Sequence, residues 1–460
     1  MKRLVIMLFA LVCAFVPAVP ALAADGLTVT EVAFRGSGGL QMHGSVLVPS
    51  GARGPLPGLV LVHGSGGGTP RTKLMTEAEA FARQGLAVLV YDKRSEGYSM
   101  TVRDYGQLAG DALGAHAALR AFAGVDRGNV GIWGLSEGGW VAPLAATRSK
   151  DVAFVVIVGG NAMQPLRQQT WAVAAGLRNA GVSGPVPDRG VPAVYRLLAG
   201  AGQFPMPWHD AQGVLARVTQ PVLGIWGAHD LLTPPRETPR LLAEGLAHER
   251  YTLRYFAGAD HAAHLTPDRG VTRSPELAPG YAEAVGTWVK RVAAGQLPTA
   301  ESVGELPGQA SMTVAVPPPA WWESAAVQVG ALLLFLVAFL GYPVWALVRR
   351  VRGRTPAEAG ARWPRTVAIA APVAAFGALA YLFYSTMSGS KLGSPGPLVA
   401  GRPLVWLVLQ ALAVLALVAA VLTVPAARRA RGSERVRLAV LLTGAAAFLP
   451  WALYWGLLMP

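Results

Sequence analysis

Hydrophobic positions along this chain fall into three regimes. Residues 4–16 form one short, unbroken apolar run behind Lys2 and Arg3. From about residue 27 to residue 293, brief apolar runs at 59–62, 87–91, 130–133, 154–158 and 222–226 alternate with longer stretches of mixed polarity. Runs that short, apolar at every position, suit strands covered on both faces of a parallel sheet. The intervening stretches read as helices at 73–84, 105–122, 138–147, 237–245 and 279–293, which predicts an α/β domain with a doubly wound, mostly parallel sheet. Segments 27–34 and 40–48, joined through Gly36-Ser37-Gly38-Gly39, read as an antiparallel hairpin ahead of the parallel strands. Segment 161–220 separates two core strands. It is far longer than the usual connection of about 2–6 residues and reads as a helical lid. Pro, Gly, Ser and Thr dominate 294–324, the composition of a linker.

The third regime is all-α and made of four apolar runs, at 327–348, 367–387, 404–424 and 438–458. Each is long enough to cross a ~30 Å hydrocarbon core as a helix. They explain why only 14% of the 460 residues are charged and 52% are hydrophobic. The formal net charge is +14, and 13 basic residues against two acidic ones from residue 325 onward supply +11 of it. The basic excess thus belongs to loops beside apolar spans and does not call for nucleic acid as a partner. Arg-rich stretches at 349–365 and 428–437 join the first run to the second and the third to the fourth, whereas the middle connection carries only Lys391 and Arg402. By the positive-inside rule the Arg-rich loops face the cytoplasm and everything before residue 327 lies outside. Residues 1–24 give the same orientation independently: a charged start, an apolar stretch and Ala21-Leu22-Ala23 make a secretory signal. The expected location is the bacterial cytoplasmic membrane, with the domain at 25–293 exported. The four runs contain no Asp, Glu, His, Lys or Arg, so they read as an anchor in the lipid bilayer and not as a transport path. Trp321 and Trp322 suit the membrane interface.

The only cysteine, Cys13, lies in the first apolar run. This excludes a disulfide framework, a zinc ribbon and a cysteine nucleophile, and no metal or cofactor site is expected.

Candidate chemistry gathers where strands end, the place open α/β sheets put their sites. After 130–133 comes Gly134-Leu135-Ser136-Glu137-Gly138-Gly139 and then a helix. G-x-S-x-G between a strand and a helix is a nucleophile elbow: small flanking residues permit a tight turn that exposes the serine hydroxyl. The run 222–226 leads to Gly227-Ala228-His229-Asp230, and the presumed last strand, 251–256, leads to Gly258-Ala259-Asp260-His261. Ser136, Asp230 and His261 stand in the order serine, acid, histidine. A serine hydroxyl needs an imidazole to take its proton and a carboxylate to hold the imidazole's tautomer, which is why the three belong together. His264 competes with His261, His229 with its neighbour Asp230, and Asp260 reads as structural or solvated. The run 59–62 leads to His63-Gly64-Ser65-Gly66-Gly67-Gly68, a loop able to turn an N–H toward an oxyanion. Ser65 is the expected donor, with Gly66 the alternative, and the N–H of Glu137 is the second donor. Lys73 stands too far from that loop for a phosphate-binding lysine. His63 reads as structural, and the Glu137 carboxylate as a group favoured by the helix dipole.

These motifs, with Tyr91-Asp92-Lys93-Arg94 after the second parallel strand, resemble the α/β-hydrolase superfamily over residues 27–293. The pattern is most similar to bacterial serine hydrolases allied to prolyl oligopeptidases, serine aminopeptidases and acyl-CoA thioester hydrolases. The resemblance implies an α/β-hydrolase fold and cleavage of an ester, thioester or amide through an acyl-enzyme. Relatives often carry an Arg-Gly-x-Gly run after the Asp-x-Arg element; here Arg94 is followed by Ser95-Glu96-Gly97, so Arg94 is read as structural, with a role in substrate binding left open. Trp171, Tyr195, Phe204, Met206 and Trp208 of the lid either line an acyl pocket or pack the lid. The expected function is a membrane-tethered serine hydrolase acting on small acyl esters or thioesters. The alternatives are a serine peptidase and a catalytically silent membrane sensor of the same fold.

Overall fold

The computed structural model describes residues 22–24, 26–353, 362–388 and 395–460. The signal reading lies outside the described residues as far as residue 21, and the expected cleavage point after Ala23 falls within β1 (Leu22–Ala24).

An antiparallel hairpin of β2 (Leu27–Arg35) and β3 (Gln41–Pro49) opens the α/β part. Then follow β4 (Leu56–Val62), α1 (Met75–Arg83), β5 (Ala87–Tyr91), α2 (Tyr105–Ala121), β6 (Val125–Leu135), α3 (Gly138–Arg148) and β7 (Val155–Val158). The lid is built from α4 (Pro165–Asn179), a π turn at Val186–Gly190, α5 (Val191–Gly200) and α6 (Ala211–Leu215). The chain returns to the sheet through β8 (Val222–Gly227), α7 (Glu237–Gly245), β9 (Tyr251–Phe256), α8 (Tyr281–Ala293) and β10 (Glu301–Val303). These strands form one sheet in the order β1-β2-β3-β5-β4-β6-β7-β8-β9-β10, antiparallel up to β5 and parallel thereafter. With helices on both faces, this is the α/β-hydrolase fold.

Strand side chains alternate between two cores. Val60 and Val62 of β4 join α2 and α3 on one face, while Leu59 and Leu61 join α1 and α8 on the other. Burying such a side chain contributes roughly 1.5–3 kcal/mol, so strands covered on both faces carry no polar alternation for a sequence pattern to show. On α2, Ala109, Ala112 and Ala115 let the helix lie close to the sheet, and the Asp104 carboxylate caps it by accepting the N–H of Gly106 at 2.6 Å.

Two elements differ from expectation. Strand β6 begins at Val125, before the apolar run, because Val125 pairs with Leu56 of β4; the polar residues 126–129 fall in the register shift before the next pair, Gly58 with Val130. The segment read as a linker supplies β10, which extends the sheet beside β9. A three-residue edge strand, Glu-Ser-Val, has too little apolar content to register as a strand.

Among the described residues, four helices are long and apolar enough to cross a membrane: Ala325–Val351, Arg362–Met387, Leu404–Arg429 and Gly432–Tyr454. The first comprises α9 (Ala325–Phe335), a π segment Leu336–Leu340 and α10 (Gly341–Val351); the others are α11, α12 and α13. Lid and bundle share one hydrophobic core, in which Val173, Leu177 and Val194 of the lid meet a cluster containing Phe339, Leu382 and Trp455. The chain after β10 runs along the lid: Trp171 Nε1 donates to the Ser311 carbonyl at 2.8 Å, and Trp208 Nε1 to the Val316 carbonyl at 3.3 Å.

Candidate active site

Ser136 sits where β6 turns into α3, with φ of 56°, a left-handed conformation that a non-glycine residue adopts at a cost of about 1–3 kcal/mol. Its flanking glycines have measurable reasons. A side chain at Gly134 would collide with the Gly138 carbonyl, and one at Gly138 would lie 2.7 Å from the Val62 carbonyl oxygen. The turn is pinned by the Ser136 N–H, which donates to the Val158 carbonyl at the end of β7 at 2.9 Å.

His261 and Asp230 meet. The buried His261 Nδ1 lies 3.0 and 2.9 Å from the two Asp230 carboxylate oxygens. Asp230 is held in turn by the N–H groups of Leu232 and Thr233, each at 2.8 Å. The Thr233 hydroxyl donates to the Gly159 carbonyl at 2.8 Å. An ionised carboxylate can only accept, so Nδ1 carries the proton and Nε2 of the neutral ring is the basic nitrogen. That Nε2 is buried and has no hydrogen-bond partner among the described residues. Gly159 packs against the His261 ring, where a Cβ would lie 2.8 Å from Nδ1. Ser136 is thus pinned to Val158 and His261 lies on Gly159, consecutive residues at one strand end. No hydrogen bond links Ser136 to His261 among the described residues.

The competing residues are placed elsewhere. Both nitrogens of His264 are engaged, Nε2 with Glu77 Oε1 at 3.0 Å and Nδ1 with the Ser274 carbonyl at 3.0 Å. Burial pulls the His264 pKa down, but the Glu77 carboxylate outweighs it and the net shift is upward. Asp260 accepts the N–H groups of Ala262 and His264 and pairs with Arg273 at 2.6 Å, closing its own loop. The backbone N–H of His229 donates to the Ala259 carbonyl. His63 Nε2 donates to the Tyr91 carbonyl at 2.7 Å, and burial pushes its pKa down to about 4, so it is neutral and structural. Arg94 is buried and forked onto Asp111 at 2.6 and 2.9 Å. Lid aromatics Trp171 and Trp208 face the chain after β10, and Tyr195 and Phe204 pack together within or against the lid–bundle core. Met206 packs against the α2–α3 core.

The 63–68 loop lies over the elbow, with Gly64 so close that a Cβ there would be 3.3 Å from Ser136 Cβ. The N–H groups of Ser65 and Glu137 donate to nothing among the described residues, which leaves them available to a ligand.

The Glu137 carboxylate is a feature sequence reasoning missed. It is 1% exposed and binds Lys93 Nζ at 2.5 Å, Arg103 Nη1 at 2.9 Å and the Tyr98 hydroxyl at 2.9 Å. Burial lowers the Lys93 pKa, with Glu137 opposing the shift. Lys93 lies in the Tyr91-Asp92-Lys93-Arg94 motif, but nothing local pairs it with a residue 44 positions away. Among the described residues no three His, Cys, Asp or Glu side chains are grouped to hold a metal.

No protein-family model matches the chain. It is similar to the thiohydrolase aneE of Aspergillus aculeatus, 32% identical over 135 residues, which is 28% of this chain and 41% of that protein. It is also similar to the quorum-quenching protein AidA of Acinetobacter baumannii, 36% identical over 104 residues, 22% of this chain and 34% of that one. The chain therefore spans less than half the length of these relatives. Similar solved structures include 2,6-dihydroxy-pseudo-oxynicotine hydrolase, with 17% identity, 60% of this chain and 72% of that one covered, and a TM-score of 0.42. An acetyl xylan esterase from Paenibacillus sp. R4 gives 18% identity, 60% and 87% coverage, and a TM-score of 0.42.

Proposed function

We propose that this chain is a membrane-tethered serine hydrolase that cleaves small acyl esters or thioesters, its catalytic domain standing outside the cytoplasmic membrane. The observation that carries the reading is the His261–Asp230 pair, whose Nε2 is left unpartnered beside an elbow that holds Ser136 at positive φ.

In the proposed cycle Nε2 of His261 takes the proton of the Ser136 hydroxyl as Oγ attacks the acyl carbon, and Asp230 stabilises the resulting imidazolium. The N–H groups of Ser65 and Glu137 receive the oxyanion. Collapse expels the alcohol or thiol, protonated by His261, and leaves an acyl-serine. Water, activated by the same nitrogen, then releases the acid. The absent Ser136–His261 bond is compatible with this cycle, since catalytic contacts in unliganded enzymes are often long and tighten with substrate. The partial similarity to a protein named as a thiohydrolase supports ester or thioester cleavage over peptide cleavage.

The test is fluorophosphonate labelling of the full chain in detergent. Modification that disappears in Ser136→Ala supports the enzyme, and no modification of folded protein supports the silent sensor. Turnover of p-nitrophenyl esters of rising chain length beside aminoacyl-nitroanilides separates esterase from peptidase. For orientation, an impermeant maleimide should label Glu96→Cys and spare Arg352→Cys in intact spheroplasts.

A further inference from the structure

We infer that Lys93 and Tyr98, joined through the Glu137 carboxylate, are positioning residues that aim the Ser65 N–H into the oxyanion hole. The inference rests on the reading of Ser136 as nucleophile and goes beyond it by assigning three side chains that do not touch the reacting atoms.

The argument begins with one peptide plane. Lys93 Nζ donates to the Gly64 carbonyl oxygen at 2.6 Å. That carbonyl belongs to the same peptide unit as the Ser65 N–H, and in a planar trans peptide the two point in opposite directions. Holding the oxygen against the ammonium therefore turns the N–H away from it. The next peptide is held as well, because the Gly66 N–H donates to the Tyr98 hydroxyl at 3.0 Å. Ser65 is thus fixed on both sides while its own side chain is exposed and its N–H has no partner among the described residues. Glycines on each side would otherwise leave the loop free to rotate: Gly66 has φ of 127°, open to few other residues.

Both holding groups converge on one carboxylate. Lys93 Nζ binds Glu137 Oε1 at 2.5 Å, and the Tyr98 hydroxyl donates to Glu137 at 2.9 Å. Glu137 follows Ser136 directly, and its N–H is the second proposed donor. One side chain therefore ties the loop that offers the first donor to the residue that offers the second. Lys93 also lies over the Tyr98 ring at 4.4 Å, and Arg103 closes the group on the other Glu137 oxygen at 2.9 Å. Lys93 and Arg103 thus share the one Glu137 carboxylate, one on each of its oxygens.

The test uses the full chain in detergent with a p-nitrophenyl ester and, as a probe of the tetrahedral adduct, phenylboronic acid. Tyr98→Phe removes one hydroxyl and Lys93→Met one ammonium. Each should lower kcat by about 10- to 100-fold, at or below the loss of an oxyanion donor itself, with KM nearly unchanged. Boronate affinity should weaken in parallel, a change that a role in folding alone would not produce in protein with a wild-type unfolding temperature. Lys93→Arg, which keeps a donor, should restore part of the loss. If Ser136→Ala abolishes turnover while Tyr98→Phe keeps wild-type kcat and boronate affinity, the inference is overturned, whether or not Lys93→Met folds. If Ser136→Ala itself keeps turnover, the hydrolase reading has failed first.

Discussion

Gly190, which closes the π turn ahead of lid helix α5, lies directly against Leu382 of the apolar helix α11, with no room between them for a side chain at position 190. Leu382 is fully buried, and the lid residues Val186, Val191 and Val194 belong to the same core. The lid is therefore seated on the bundle by apolar packing, and cutting the chain between the two would bare that face.

Gly190→Val should unseat this contact. Overpacking a well-filled core costs about 1–3 kcal/mol, and here the strain falls on one joint. Limited proteolysis in detergent should cut the 180–205 segment faster in the variant than in the wild type, with cuts elsewhere unchanged. An unaltered pattern would show that the lid does not depend on α11.

The two histidines of the last loop should separate sharply in turnover. Ser136→Ala, His261→Ala and Asp230→Asn should each lose roughly 10⁴-fold in kcat for an ester substrate, the scale of triad removal. His264→Ala should cost little turnover at temperatures where it stays folded, because both its ring nitrogens already serve Glu77 and Ser274. Equal losses at both histidines would undo the assignment.

Stability should respond to pH through two other titrations of opposite sign. His63 has its pKa lowered by burial to about 4, below its unfolded value near 6.5. Its contribution is whole above pH 6.5 and is lost as pH falls toward 4, about 3 kcal/mol in all. His264 is shifted upward by Glu77, against burial, so its contribution is whole below its unfolded pKa and is lost as pH rises through the folded one. In unfolding measurements across pH 4–9, His63→Asn should flatten the acid limb and Glu77→Gln the alkaline limb.

Glycines at the elbow and in an open loop should differ in kind. Gly138→Ala places a Cβ 2.7 Å from a buried backbone carbonyl and should both destabilise the chain and abolish fluorophosphonate labelling. Gly54→Ala, at φ of 86° with nothing within 4 Å, meets only backbone strain of about 1 kcal/mol and should label normally. Normal labelling of Gly138→Ala would show that the close approach to β4 is dispensable.

Local signals made much of this molecule legible. The strand at 87–91 and the helix at 237–245 have the bounds their patterns imply. The elbow, too, was visible, because a strand, a glycine-flanked serine and a helix are consecutive in the chain. Lid aromatics were ambiguous for a physical reason: an apolar face looks the same in sequence whether it meets a substrate, a linker or another helix. Trp171 and Trp208 turned out to hold the chain after β10 through their indole N–H groups.

The sequence by itself determined the α/β class, the four apolar spans and the order of Ser136, Asp230 and His261, since periodicity, run length and turn chemistry are properties of neighbouring residues. Tertiary structure alone decided which histidine keeps a nitrogen free, that Glu77 meets His264 across 187 positions, and that Glu137 binds Lys93 and Tyr98 beneath the 63–68 loop. A buried charge must find its partner wherever the fold brings one, and chain distance carries no information about that meeting.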